Sequence, residues 1–274
     1  MFFEMNTPTA IWLLLFSLLT RVSPGQEQAA QTNTNGAGIP IALRKSGDIK
    51  FKQPLFTFVR IRYTRDPSGP GEWYVDYPDA DLHFSARLTE VTGLKSDAKG
   101  KVLRLTDEDL SNYPFIYVVE GGSLALNDTE AQALRAYLLR GGFLMVDDFW
   151  SESQWKHLAA QMKRVFPERE PVELDLKHPI FHSWYDLEEK PQVPNVGRGA
   201  NSQFDGITWE CNDCKGAHYR ALLDDTGRVM AIFCHNTDLG DGWEREGNEY
   251  YFQEFSLKKA YPMGINIVVY ALTN

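Results

Sequence analysis

Residues 113–150 read YPFIYVVEGGSLALNDTEAQALRAYLLRGGFLMVDDFW. Their order of strand, glycine turn, helix, glycine pair and strand decides the fold class. Phe115–Val119 is an almost unbroken apolar run, as expected of a strand covered on both faces. Glu120-Gly121-Gly122 interrupts it. Asn127 stands three residues before Glu130, the spacing of a capping box. Ala131, Leu134 and Leu138 recur at helical intervals, and Gly141 is placed to end the helix in the left-handed conformation. Phe143–Val146 is a second strand of the buried type, stopping at Asp147-Asp148. Two apolar strands joined by a helix make a βαβ unit with parallel strands.

The flanking sequence extends this unit. A first strand is expected within 51–65, over Phe56–Tyr63. Pro78 suits the first turn of a helix carrying Phe84, Leu88 and Val91, with Gly93 closing it. Lys101–Leu105 reads as an edge strand. Glu152–Phe166 reads as a helix stopped by Pro167, and His178-Pro179 cannot begin as a helix. Pro191–Phe204 and Asn236–Asn248 read as loops. Tyr219–Leu223 and Arg228–His235 flank Asp225-Thr226-Gly227, a hairpin signal. Lys259–Thr273 is a final apolar helix whose start Pro262 limits. The alternation predicts an α/β fold of three layers, a mostly parallel sheet with helices on both faces. Ligands of such sheets sit beyond the carboxyl ends of the strands, at a switch in strand order.

The 274-residue chain is 43% hydrophobic and carries a formal net charge of −9. That charge argues against non-specific nucleic-acid binding, which needs a basic surface. Ile11–Leu19 is too short to span a bilayer and is followed by Ser23, Pro24 and Gly25, the pattern of an export signal over residues 1–25. Glu4 in the leading segment, which has no Lys or Arg, fits that pattern poorly, and the competing readings are an uncleaved N-terminal anchor or a misread start. Residues 26–50 are polar and form a flexible lead, and residues 51–274 suffice for one α/β domain. The expected location is periplasmic or extracellular, with no transmembrane span in the mature chain.

The chemistry-bearing residues collect at predicted strand ends. Asp147 and Asp148 are candidate catalytic residues with Glu120 and His235. Neighbours on a strand point to opposite faces, so only one Asp of the pair enters a given pocket unless the strand has broken. The competing reading makes one of them the cap of the following helix. Trp73, Asp76, Asp81, Gly121, Gly122, His178, Asn236 and Asp238 are candidate binding residues. Asp76, Asp79, Asp81 and His83 form an acidic group of the kind divalent cations take, but helix-start acids account for Asp79 and Asp81 without a metal. Cys211 and Cys214 form a C-x-x-C pair, for which a local disulfide ranks first and free thiols second. A zinc site with His218 and Cys234 ranks last, because only the first pair has the right spacing. His178 and His182 have no evident nucleophile beside them, and Ser123 and Ser151 lie in no nucleophile elbow. No cofactor is expected.

Several of these motifs occur together in one known family. Trp73, Asp76, Pro78, Ala80-Asp81, Tyr113-Pro114, Leu134-Arg135, Gly141-Gly142, Asp147-Asp148, His178-Pro179, Asn236, Asp238, Trp243 and Asn266–Leu272 resemble the bacterial domain-of-unknown-function 4159 family, over about Phe56 to Thr273. The resemblance implies a flavodoxin-like fold similar to class I glutamine amidotransferases, and an exported or membrane-associated protein. It implies no activity. Glu120-Gly121-Gly122 lies where those enzymes place an oxyanion-hole loop, but the strand that should end in a Cys nucleophile ends in Asp147-Asp148. Thioester chemistry needs that thiolate, and every Cys lies beyond residue 210. The expectation is a non-catalytic domain that binds an envelope protein or a small ligand. The alternative is a carboxylate- or metal-dependent hydrolase acting on an envelope glycan or peptide.

Overall fold

A computed structural model describes residues 55–274. The expected export signal (1–25), the lead (26–50) and the first residues of the domain lie outside the described residues. The chain begins with two short strands, β1 (Val59–Ile61) and β2 (Thr64–Arg65), followed by helix α1 (Asp79–Thr92) and strand β3 (Lys101–Leu103). The central unit is β4 (Phe115–Val119), a short β5 (Leu124–Ala125), α2 (Asp128–Leu139) and β6 (Phe143–Phe149). Then come α3 (Ser151–Val165), β7 (Val172–Glu173), α4 (Val196–Asp205), β8 (His218–Leu223) and β9 (Val229–His235). The chain closes with α5 (Leu239–Glu244), the turn α6 (Glu249–Tyr251), wide π-type turns over Phe252–Ala260 and α7 (Tyr261–Thr273).

Seven strands form one sheet in the order β3-β1-β4-β6-β9-β8-β7, while β2 and β5 pair separately. The pairs from β3 through β9 are parallel, and β8 and β7 are antiparallel additions at one edge. The chain moves outward from β1 to β3 and then returns to lay β4 on the other side of β1. That reversal is the switch in strand order at which ligands of open α/β sheets bind.

Side chains of the central strands alternate between two apolar layers, as the pleat requires. Phe115, Tyr117 and Val119 join α1, α5 and α7 on one face. Ile116 and Val118 join α2 and α3 on the other. The local signals read from the sequence are realised in α2, where Asn127 accepts from the Glu130 N–H and the Glu130 carboxylate accepts from the Asn127 N–H. Gly93 closes α1 in the left-handed region at φ 73°.

Four expectations are corrected. The first strand is shorter than Phe56–Tyr63, with Phe56 making only an isolated bridge to Ser96. The segment expected as loop over Pro191–Phe204 contains most of α4, capped by Asn195 and closed by Gly206 at φ 70°. Its glycines and polar residues hide the helical period. The segment expected as loop over Asn236–Asn248 contains α5, capped by Asp238. This helix forms because Leu239 and Trp243 are packed into the core, a tertiary gain that outweighs the low helix propensity of its two glycines.

The fourth correction concerns β6, which does not stop at Asp147 but runs to Phe149. Val146 pairs with Phe233 and Phe149 with His235, so β6 uses one residue more than β9 over the same interval. The extra residue is a β-bulge, with Asp148 at φ 51°. Val146 and Phe149 both face the α2/α3 layer, so alternation breaks between them. The bulge lets both aspartates stay out of that apolar layer.

Candidate functional site

The loop over residues 66–78 folds across the ends of β1 and β4, and Arg60 holds it there. Arg60 is buried in β1 and forms a bidentate pair with Asp81 of α1, its closest contact 2.6 Å. It also donates to the carbonyls of Trp73 at 3.2 Å and Val75 at 2.8 Å. Its guanidinium lies over the Tyr117 ring at 5.1 Å. The backbone carbonyl of Asp76 then accepts from the Ala80 N–H at the start of α1, and the residue sits at φ 60°.

Three carboxylates meet at this point. One oxygen from each of Asp76, Asp148 and Asp238 lies within 4.8 Å of the other two. All three residues are buried. Asp148 accepts from Trp150 Nε1 at 3.0 Å, and Asp238 accepts from the Asp241 N–H at 2.7 Å. Asp147 lies alongside, accepting from the Tyr117 hydroxyl at 3.2 Å and the Gly240 N–H at 3.0 Å. Asp76 also belongs to a second group with Asp241 and Glu244. Gly240 fits beneath these residues because it lacks a side chain: a Cβ there would come 2.5 Å from Asp76 Oδ2 and 3.0 Å from the Tyr117 hydroxyl.

Negative charge is not balanced here. Arg60 is committed to Asp81, and Arg245, half exposed, pairs with Asp241 and Glu244. Burial pushes the Asp76 carboxyl up to about 8, with Asp241 and Glu244 adding repulsion. Burial carries Asp147 to about 7 against the opposing hydrogen bonds. Glu120 is also raised to about 7, by burial and by the charge of Glu210, while a hydrogen bond with Asp148 works against the rise. Asp148 and Asp238 are pushed well above the usual carboxylate range, by burial first and by neighbouring carboxylates second. Two buried oxygens, Asp76 Oδ2 and Asp147 Oδ1, have no hydrogen-bond partner. A buried carboxylate oxygen without a partner is expensive.

The backbone is unusual at the same place. Among the described residues, the non-glycine residues with positive φ are Asp76, Glu120, Asp148, Ser151 and Asn236. They belong to the covering loop, to the bulge in β6 or to the turns after β4, β6 and β9. Such conformations cost on the order of 1–3 kcal/mol and persist where the surroundings fix them. Asp and Asn tolerate this region better than most residues.

The other expected site residues are placed as follows. Asn236 accepts from the Ser151 N–H and donates to the Gly216 carbonyl, so it ties α3 to the disulfide loop. His235 stacks on Phe149 and meets Arg220 and the Ser151 carbonyl. Burial lowers its imidazole to about 4, which leaves it neutral near pH 7 and a weak base. Neither Asn236 nor His235 is in the three-carboxylate group. Asp81 is spent on Arg60, and Trp73 packs against Tyr74 and Tyr77. Gly121 and Gly122 lie where α3 and β6 press on the turn: a Cβ would meet Val146 or Gln154 at 2.3 Å. His178 caps the short turn Pro179–Phe181 and packs on Tyr270 of α7. His182 pairs with Asp186, and Ser123 accepts from the Gly71 N–H.

The capping role expected for one Asp of the 147–148 pair is not realised, since α3 has no side-chain cap from either residue. Asp213 and Asn236 accept the Glu152 and Ser151 N–H groups instead. Cys211 and Cys214 are joined in a disulfide, which removes both thiolates from the set that would include His218. Cys234 is buried in the core, its thiol pushed up by burial. Sequence reasoning missed Tyr117, Glu210, Gly240, Asp241 and Glu244. The spacing of Asp238 and Asp241 in 238-DLGDGWE-244 was the available sign, an Asp cap followed by a second acid in the first turn.

The sequence model of a family described as Domain of unknown function (DUF4159) matches residues 57–272. No curated protein matches the chain.

Proposed function

From the premise that the chain belongs to the DUF4159 family, we propose that it is an exported binding domain whose ligand is held at the strand-end carboxylates. The carrying observation is the convergence of Asp76, Asp148 and Asp238, while among the described residues the cations beside them, Arg60 and Arg245, are already paired with Asp81 and with Asp241 and Glu244. A group of that kind is complementary to a positively charged ligand or to one rich in hydrogen-bond donors. The mostly parallel sheet with helices on both faces supports the flavodoxin-like, class I glutamine amidotransferase-like fold that the family resemblance implies. Glutamine hydrolysis does not follow from it: β6 carries Asp147-Asp148 where such an enzyme would place its Cys, and the one free thiol, Cys234, is buried in the core.

The reading includes the domain plan of signal (1–25), lead (26–50) and single domain (51–274), with an envelope protein or a small ligand as occupant. The Cys211–Cys214 disulfide supports an oxidising compartment. Among the described residues no helix is long and apolar enough to cross a membrane. A second reading is favoured by Glu120 and Asp147, both near 7. Carboxyls in that range serve as general acids at neutral pH, so hydrolysis of an envelope glycan or peptide is the alternative.

The test is thermal stabilisation of the full chain across a panel of amines, amino acids, amino sugars, short glycans and simple salts. Binding at this site predicts at least one hit whose stabilisation disappears in Asp238→Asn and Asp148→Asn. Turnover of a panel glycan or peptide that Glu120→Gln abolishes would transfer the case to the hydrolase. Hits indifferent to all three substitutions would remove the site from consideration.

A further inference from the structure

We propose that the three-carboxylate group is a binding site for one hard divalent cation of the calcium, magnesium or manganese class, with Asp76, Asp148 and Asp238 as its protein ligands. The inference rests on the reading that the strand-end carboxylates are where this chain binds, and it names the occupant.

Four independent observations lead there. The first is reach. Oxygens around a calcium-sized ion stand about 2.3–2.6 Å from it, so oxygens on opposite sides are about 5 Å apart. The three carboxylate oxygens lie within 4.8 Å of one another, inside that limit. The second is vacancy in the hydrogen bonding. Asp76 is 8% exposed, and its Oδ2 is buried without a partner. That oxygen and Asp238 Oδ1 border the same space over Gly240, where a Cβ would stand 2.5 Å from the first and 3.5 Å from the second. Trp150 Nε1 and the Asp241 N–H engage Oδ1 of Asp148 and of Asp238, and Asp148 also shares a hydrogen bond with Glu120. A metal ion would supply the missing contact at Asp76 and screen the repulsion among the three.

The third observation is the backbone. The bulge in β6 and the left-handed conformations of Asp76 and Asp148 turn two acids toward one point from different segments. Neither turn supplies a hydrogen bond to Asp76 Oδ2. The fourth is donor chemistry. The group contains oxygen donors only, with no His or Cys. That composition suits calcium, magnesium or manganese and not zinc or copper. The neighbouring group of Asp76, Asp241 and Glu244 is a poorer candidate, because Arg245 already pairs with two of its members.

The experiment uses the full chain stripped with EDTA and titrated separately with CaCl2, MgCl2, MnCl2 and ZnCl2, with NaCl and spermidine as ionic controls. Calorimetry reads stoichiometry and affinity, and a thermal melt reads stabilisation. Terbium luminescence sensitised by Tyr117 and Trp150 gives an independent measure of occupancy. The expected result is one ion per chain for at least one of the first three salts, with terbium displaced by that ion. Asp148→Asn and Asp238→Asn should each weaken binding at least about tenfold. Asn keeps the shape of Asp and tolerates positive φ, so these variants should fold. Without metal they should melt no lower than the parent, because each replaces a buried carboxyl crowded by neighbouring carboxylates with a neutral amide; a merely structural Asp would instead lower the melt. Gly240→Ala, which crowds Asp76 Oδ2, should reduce binding as well, and Glu254→Gln, in the separate ion pair with Lys258, should not.

The proposal is overturned if none of the three ions binds saturably, if zinc alone binds, or if the Asn variants bind like the parent. Panel ligands that still depend on Asp238 in that case would leave the binding-domain reading standing. Loss of both would end both.

Discussion

Arg60 shows how one side chain can organise a site without belonging to it. Its charge is consumed by Asp81, and its remaining donors fix the carbonyls of Trp73 and Val75, which sets the position of Asp76. Removing one member of a buried ion pair leaves the other uncompensated, at a cost of about 3–5 kcal/mol. Arg60→Met should therefore lower the unfolding free energy by about that amount in urea titrations. Arg60→Met combined with Asp81→Met should recover most of the loss; a double variant as weak as the single would mean that loop anchoring, not charge, dominates. Asn266 is the polar exception in the apolar run of α7. It is fully buried, accepts from the Trp184 and Tyr185 N–H groups, and donates to the Phe181 and Tyr185 carbonyls. One amide thus satisfies four backbone groups of a segment that has little regular structure of its own.

At the scale of elements, those with strong local signals form where the sequence places them. The capping box at the start of α2 is an example, and its contribution can be isolated. Asn127→Ala removes the acceptor for the Glu130 N–H at an exposed helix end and should cost about 1 kcal/mol. Chemical denaturation with an unchanged denaturant slope would show it, and a loss within error would mean that solvent replaces the cap. The elements that were misread share a different property. α5 contains two glycines and two acids in six residues, and α4 is rich in glycine and polar residues. Their helical turns are selected by burial of Trp243 and Leu239 in one case and by an Asn cap with a glycine stop in the other. The end of β6 is similar: nothing in Val146-Asp147-Asp148-Phe149 marks the bulge, which appears only when β9 fixes the register.

The whole molecule should report the state of its site through pH. Asp76, Glu120 and Asp147 have folded-state values of about 8, 7 and 7, above ordinary carboxylates. The folded form therefore holds more protons than the unfolded form, and stability falls as pH rises through that range. His235, lowered to about 4, works the other way between about 4 and 6.5 and is silent above. The window from about pH 6.5 to 8 thus excludes His235, while His182, raised by its bonds to the Leu176 carbonyl and Asp186, adds to the fall, so the slope is read against His182→Gln. In EDTA the melting temperature should drop across it, by on the order of 5 °C. If a divalent cation occupies the site, saturating metal should flatten or reverse the slope, because the charged carboxylates are then its ligands. A melt that rises with pH in EDTA would contradict the unbalanced charge on which both functional readings depend.

The sequence by itself determined the βαβ unit, the mostly parallel sheet, the hairpin, the capping box of α2, the glycine stop of α1 and the family. These follow from periodicity, glycine and proline positions and hydrogen bonds spanning a few residues, all of which are local. It also placed Asp76, Asp148, Glu120 and Asp238 among the candidates, because strand ends are where such sheets bind. Only the tertiary structure decided which acids share one point. Asp81 and Asp76 look equivalent along the chain, yet Arg60 reaches across from β1 to neutralise the first and leaves Oδ2 of the second without a hydrogen bond. Asp148 should face away from Asp147, yet the register imposed by β9 breaks the alternation. The meeting of three acids from distant segments depends on how layers pack and on which cation is already committed, and neither is encoded within the reach of a single element.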